Sequence, residues 1–223
     1  GKPNAFGVDG RSSARKSAEE AGIETRLREA KALYKQGESE KAAGGFKWVR
    51  AKSEERTNTG SESRDAQTRL VAMKVDAQLS LGWALLGSFQ RDKAHVAFHD
   101  ALALSKVHGD RISEATSNIG LAATYKPKDR TDPCKLQFAQ RASTVAEEVF
   151  KDAVQAFNEG AYPLQLPPFH GGSDTGAEMA NTLRNKILVG ETRTPPGLEV
   201  HLARAQALVA AANAALGKAR FGR

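Results

Sequence analysis

Apolar residues recur three and four positions apart along most of this chain, the spacing of one face of an α-helix. Ile23, Leu27, Ala30, Leu33 and Tyr34 keep it until Gly37, and Ala42, Ala43, Phe46 and Val49 take it up again. Two helices joined by a few residues around a glycine form an antiparallel hairpin. The pattern returns from Ala66 through Leu70, Val71, Val75, Leu79, Trp83 and Leu86. Gly87 and Arg91-Asp92 mark a turn, and Ala94, Ala97, Phe98, Ala101, Leu102 and Leu104 supply the next helix. Beyond Gly109-Asp110, a helix carrying Ile112, Ala115, Ile119, Ala122 and Ala123 must end near Lys126, because Pro127 restricts its neighbour and lacks a donor. A long helix is expected from about Cys134 to Phe157, with a break between Phe150 and Ala153. A final helix over 198–217 repeats Leu198, Leu202, Ala205, Leu208, Val209, Ala212, Ala215 and Leu216, a stripe suited to closing the end of a core.

The interruptions divide the chain. Residues 1–18 hold Pro3, three glycines and three serines without an apolar period, and read as a flexible arm, with helix beginning near Ser17. Residues 19–223 then form a single helical domain. Within it, 53–64 (SEERTNTGSESR) is either a loop or the exposed start of the next helix. The segment KPKDRTDP is a loop closed by Pro133, and 163–175 (PLQLPPFHGGSDT) is a proline- and glycine-rich loop that either folds back on the domain or contacts a partner. Helix resumes from Gly176 toward Val189 and stops before Pro195, Pro196 and Gly197.

Aligned with one another, the helix pairs repeat. Ala32-Leu33-Tyr34 and Gly37 precede Ala42 and Phe46; Leu81-Gly82, Ala84-Leu85-Leu86 and Gly87 precede Ala94, Phe98, Ala101 and Leu102; Ile119-Gly120-Leu121-Ala122 and Tyr125 precede Ala139, Ala142 and Val145. A weaker fourth stretch is Ala156-Phe157 and Gly160. This pattern resembles the tetratricopeptide repeat family over roughly 26–160, best at 78–105. Gly82 and Ala94 fall where that family places its small residues, although Trp83 occupies a position not usually aromatic there. Gly82 and Gly120 are 38 residues apart, and 102–125 looks like the junction of the longer-repeat scaffold subclass, whose units run to about 40 residues. Ala42 and Ala94 are 52 apart, so an insertion that includes 53–64 separates the first two units.

The resemblance implies an all-α stack of antiparallel helix pairs, an α-solenoid with a C-terminal closing helix. It also implies a concave face lined by the first helix of each pair. By the family's register the residues facing that groove include Leu27, Lys31, Tyr34, Leu79, Trp83, Leu86, Asn118, Leu121 and Tyr125. Seven of these, Lys31, Tyr34, Trp83, Leu86, Asn118, Leu121 and Tyr125, are the expected peptide-binding set. The amide of Asn118 suits a bound backbone, and Trp83 is either an aromatic anchor or core. Some members hold a C-terminal carboxylate in a basic clamp; Lys31 matches one clamp position, but Trp83 and Leu121 occupy the next two, so that clamp is incomplete.

Composition narrows the chemistry. Aromatics are only 6% of the 223 residues, while alanine recurs throughout, which suits close helix packing better than a β-sandwich. The net charge is +7, yet basic and acidic residues are interspersed, with no run of five like charges. One cysteine, Cys134, excludes an internal disulfide and a cysteine zinc cluster. His95 and His99 stand four apart on one helix, but no third ligand can be assigned, so no metal or other cofactor is expected. Cys134 has no assignable base, Glu19-Glu20 and Glu147-Glu148 fit polar helix faces, and the glycines at 171, 172 and 176 lead into no phosphate-binding motif. The expectation is a chain that is not an enzyme. It would be a scaffold or adaptor for a protein or peptide partner. The alternatives are a structural subunit of a ribonucleoprotein or membrane-associated assembly, or a nucleic-acid-binding regulator. No apolar stretch reaches the length of a spanning helix, and no secretory leader pattern opens the sequence, so a cytoplasmic location is expected.

Overall fold

A computed structural model describes residues 8–59, 62–125, 132–159 and 198–221, with side chains described over 17–59, 62–125, 132–155 and 205–219. Seven helices run through the described residues: α1 (Val8–Lys35), α2 (Ser39–Asn58), α3 (Arg64–Gly87), α4 (Arg91–His108), α5 (Arg111–Thr124), α6 (Pro133–Glu159) and α7 (Leu198–Phe221). The fold is all-α, and consecutive helices pack as antiparallel neighbours. The expected loop 163–175, the helix of 176–189 and the loop at 195–197 lie outside the described residues.

Local sequence explains most boundaries. Ser63 caps α3 by accepting a hydrogen bond from the Ala66 N–H (3.3 Å), and Asp110 caps α5 by accepting one from the Ser113 N–H (3.0 Å). Asp132 accepts from the Cys134 N–H (2.8 Å), with Pro133 in the first helical position, where its missing N–H is not needed. The C-terminal ends of α1, α3 and α4 close in one way. A left-handed residue (Gly37, Phe89 or Gly109) follows each, and the next N–H reaches back five residues, Glu38 to Leu33, Gln90 to Leu85 and Asp110 to Ser105.

Four boundaries differ from the expected ones, the smallest change being the last helix, which runs to Phe221 rather than ending at 217. α1 begins at Val8, so most of the expected flexible arm is helix; the segment after Gly10 is rich in Ala, Arg, Lys and Glu, which favour helix without giving it an apolar face. α2 continues to Asn58, because the polar run carries its own packing: Ser53 is fully buried, and Arg56 reaches both Glu19 (3.1 Å) and Glu62. α6 is unbroken between Phe150 and Ala153, where Val149 and Ala153 both face the core.

The helices form two layers. α1, α3, α5 and α7 touch one another in succession, whereas the backbones of α2, α4 and α6 do not approach one another. α1 and α3 run parallel, since Glu20 pairs with Arg69 and, further along both, Lys31 pairs with Asp76. The layer of α1, α3, α5 and α7 is therefore the more closely packed of the two.

One residue fixes the close approach at the centre. The ring of Phe98 on α4 is fully buried and lies against both Gly82 of α3 and Gly120 of α5. A Cβ at Gly82 would stand 2.6 Å from it, and one at Gly120 would also overlap it. Gly45 does the same for the first pair, where a Cβ would fall 2.7 Å from the Ala30 methyl. A second core joins α5, α6 and α7 through Ile112, Val145, Ala146, Val149, Ala205 and Leu208.

Candidate binding face

The layer of α1, α3, α5 and α7 begins with polar contacts between α1 and α3. Lys31 Nζ donates to Asp76 Oδ2 (2.6 Å), and Ser80 Oγ donates to the other Asp76 oxygen (3.3 Å). Arg69 holds the Glu20 carboxylate with Nε and Nη2, the latter at 3.2 Å. The hydrogen bonds and charge of that carboxylate raise the Arg69 guanidinium above its already high pKa, so it stays cationic. These pairs are partly exposed, and their role is orientation more than stability. Each contributes one charged group from α1 and its opposite from α3, which fixes the parallel register of the two helices.

Of the seven residues expected to bind a peptide, the structure presents five at or near the surface. Lys31 is partly exposed in its pair with Asp76. Tyr34 is exposed at the end of α1, its ring 3.9 Å from where a Cβ on Gly87 would stand. Trp83 and Leu86 are half-buried on α3 and rest on the core, Trp83 meeting Phe98 edge-on with ring centroids 4.9 Å apart. Trp83 thus has one edge on the core and part of its surface outside. Tyr125, half-buried, follows the end of α5 and joins His95 (5.9 Å) and Phe138 (6.4 Å) in an aromatic group.

The other two are placed inside the stack. Leu121 is fully buried in the main core, and Asn118 is 2% exposed, its amide nitrogen donating to the Glu114 carbonyl one turn back (2.8 Å). Leu27 and Leu79, assigned to the groove by the same register, are also buried. For α5 the cause is enclosure. It packs against α3, α4, α6 and α7, and nine of its fourteen residues are buried.

Some contacts near the surface had little signal in the sequence. His95 Nδ1 lies 2.9 Å from Thr124 Oγ1, whose own proton goes to the Leu121 carbonyl (2.7 Å), so His95 is the donor to Thr124. Arg91 Nη1 donates to the carbonyls of Ala123 (3.2 Å), Thr124 (3.3 Å) and Tyr125 (3.4 Å), closing the C-terminal end of α5 from the first residue of α4. The partner of Lys31 had no more signal, since Asp76 is one of several polar residues spread along α3.

Cys134 is exposed, and His95 faces Thr124 while His99 is exposed. Among the described residues no three His, Cys, Asp or Glu side chains converge as metal ligands, and no helix is long and apolar enough to cross a membrane. Comparisons with known protein families, with curated proteins and with solved structures gave no match.

Proposed function

We propose that this chain is a non-catalytic, tetratricopeptide-like scaffold that holds a peptide or a helix of a partner protein against the inner layer of α1, α3, α5 and α7. The observation that carries this reading is the difference between the layers. The first helices touch in succession while the second helices do not, which favours a surface curved around α1 and α3. That surface offers what peptide recognition needs: a half-exposed aromatic (Trp83), an apolar neighbour (Leu86) and a charged pair able to re-partner (Lys31 with Asp76). Leu121 and Asn118 support the wall rather than touch the ligand. The repeat resemblance adds the fold-level expectation that such stacks bind proteins, an argument by analogy.

A displayed library of random peptides, selected on the whole chain, tests it. A selected peptide is expected to bind about tenfold or more weakly to Trp83→Ala and to Lys31→Glu, and near-normally to Lys47→Glu on the exposed side of α2. Failure to select any peptide, or equal losses in all three variants, would refute the reading. Nucleic-acid binding would instead appear as affinity for oligonucleotides that falls steeply with salt.

A further inference from the structure

α2 and α4 both pack on α3 but do not approach each other, so α3 forms the floor of a furrow between them. One polar group bridges it. Gln78 on α3 is 1% exposed, and its Nε2 donates to Asp100 Oδ2 on α4 (3.2 Å). Arg50 on α2 points Nη1 at the same oxygen, but at 4.0 Å it is beyond hydrogen-bond reach. Two polar atoms of this group are buried without a hydrogen-bond partner, the Gln78 carbonyl oxygen Oε1 and the Arg50 Nε. A third, Ser53 Oγ, lies one turn further along α2.

Buried polar atoms are paired as a rule, and an unpaired one costs stability. A methionine in place of Gln78 would avoid that cost, so packing alone does not call for the glutamine. The two unpaired atoms differ in kind. One accepts and the other donates, which is the pairing that a main-chain N–H and C=O complete. Arg50 and Asp100 are half-exposed and stand at the mouth of the furrow, above Gln78. On α4, Asp100 lies between the exposed Val96 and Val107, four and seven residues away on the same side of the helix.

We infer that the furrow between α2 and α4 binds an extended segment of a partner protein by its main chain. One peptide N–H donates to Gln78 Oε1, and a neighbouring peptide C=O accepts from Arg50 Nε. The long Arg50 side chain swings aside to admit the segment, and no helix has to move. Val96 and Val107 give apolar contact to side chains on either side of the bound amide, which sets a preference for apolar residues there. Gln78 is thus a binding residue kept at a cost in stability. The furrow belongs to the layer of α2 and α4, so the inference does not rest on peptide binding at Trp83.

A displayed library of random peptides tests it, selected on the whole chain and sorted for peptides that bind Trp83→Ala as tightly as the parent. Those peptides are expected to bind at least about tenfold more weakly to Gln78→Met. The same loss is expected for Arg50→Lys, which keeps the charge but lacks the fixed Nε–H. Methylating the main-chain nitrogens of one such peptide in turn should weaken binding about tenfold or more at one position. That methyl should have no further effect on Gln78→Met, since both changes remove one hydrogen bond. Gln78→Met should also raise the melting temperature of the free chain by about 2–4 °C, because an unpaired buried oxygen is gone. A library that yields no Trp83-independent peptide would overturn the inference, as would equal binding to Gln78→Met or tolerance of methylation at every nitrogen. So would a Gln78→Met melting temperature below the parent's, the result for a glutamine that is only structural. Loss of the Trp83-dependent peptides alone counts against the other face and leaves this one standing.

Discussion

The two larger cores among the described residues are built on different rules. Around Phe98, a large ring fills the space left by two glycines, Gly82 and Gly120, on helices that approach it from either side. Between α5, α6 and α7 no glycine contact of that kind is present among the described residues; Ala142, Ala146, Ala205 and Ala212 are fully buried beside Val145 and Val149, and Ser143 Oγ meets Asn213 Oδ1 at 2.8 Å. The first joint is a large group meeting an absence. The second is many methyl groups meeting one another. Packing of the first kind fails when a methyl is added, and packing of the second kind when a methyl is removed.

That contrast can be broken by substitution. The largest effect is expected for Phe98→Ala, a loss of about 3–5 kcal/mol in denaturant unfolding, because the ring belongs to three helices at once. Gly120→Ala should come next. It gains up to about 1 kcal/mol of helix propensity, yet the added methyl overlaps the Phe98 ring, so a net loss of about 1–3 kcal/mol is expected. Combining it with Phe98→Leu should recover at least about 1 kcal/mol relative to the sum of the single changes, and strict additivity would remove the ring–glycine account. At the alanine joint, the opposite change should do harm: Ala146→Gly should lose about 1–2 kcal/mol through propensity and a small void. Smallest is Arg91→Ala, about 1 kcal/mol, since it removes a donor from the end of α5 and leaves both cores in place. Thermal melts of the six variants beside the parent would rank them.

The same contrast explains what could be read from the sequence. The pair α3–α4 was legible almost to the residue, because Gly82, Ala94, Phe98 and Ala101 are unusual enough in combination to mark a register. The α5–α7 core left a weaker trace; alanines at helical spacing occur throughout this chain and mark helix without marking a partner. The end of α2 was misplaced for a different reason. Hydrophobic periodicity registers only burial by apolar residues, and Arg56, 9% exposed and paired with Glu19 and Glu62, is buried by charge pairing instead. On the proposed face, the family's register names seven residues, of which five lie at or near the surface and two are buried. It placed Asn118 and Leu121 outward, whereas α5 is enclosed by α3, α4, α6 and α7, and Leu121 lies in the core shared with α3 and α4.

The pattern of helix contacts also has a consequence in time. Among the described residues no helix touches another more than two elements away along the chain. As the chain leaves the ribosome, each helix therefore waits only for the next two before its surroundings are complete. Phe98 has its first glycine already made, at position 82, and needs only 22 more residues to meet Gly120. At ordinary synthesis speeds of about 5–20 residues per second, that wait is roughly one to four seconds. Up to α6 the molecule can close behind its own growing end, one hairpin at a time, with little unpaired surface left for a chaperone to guard.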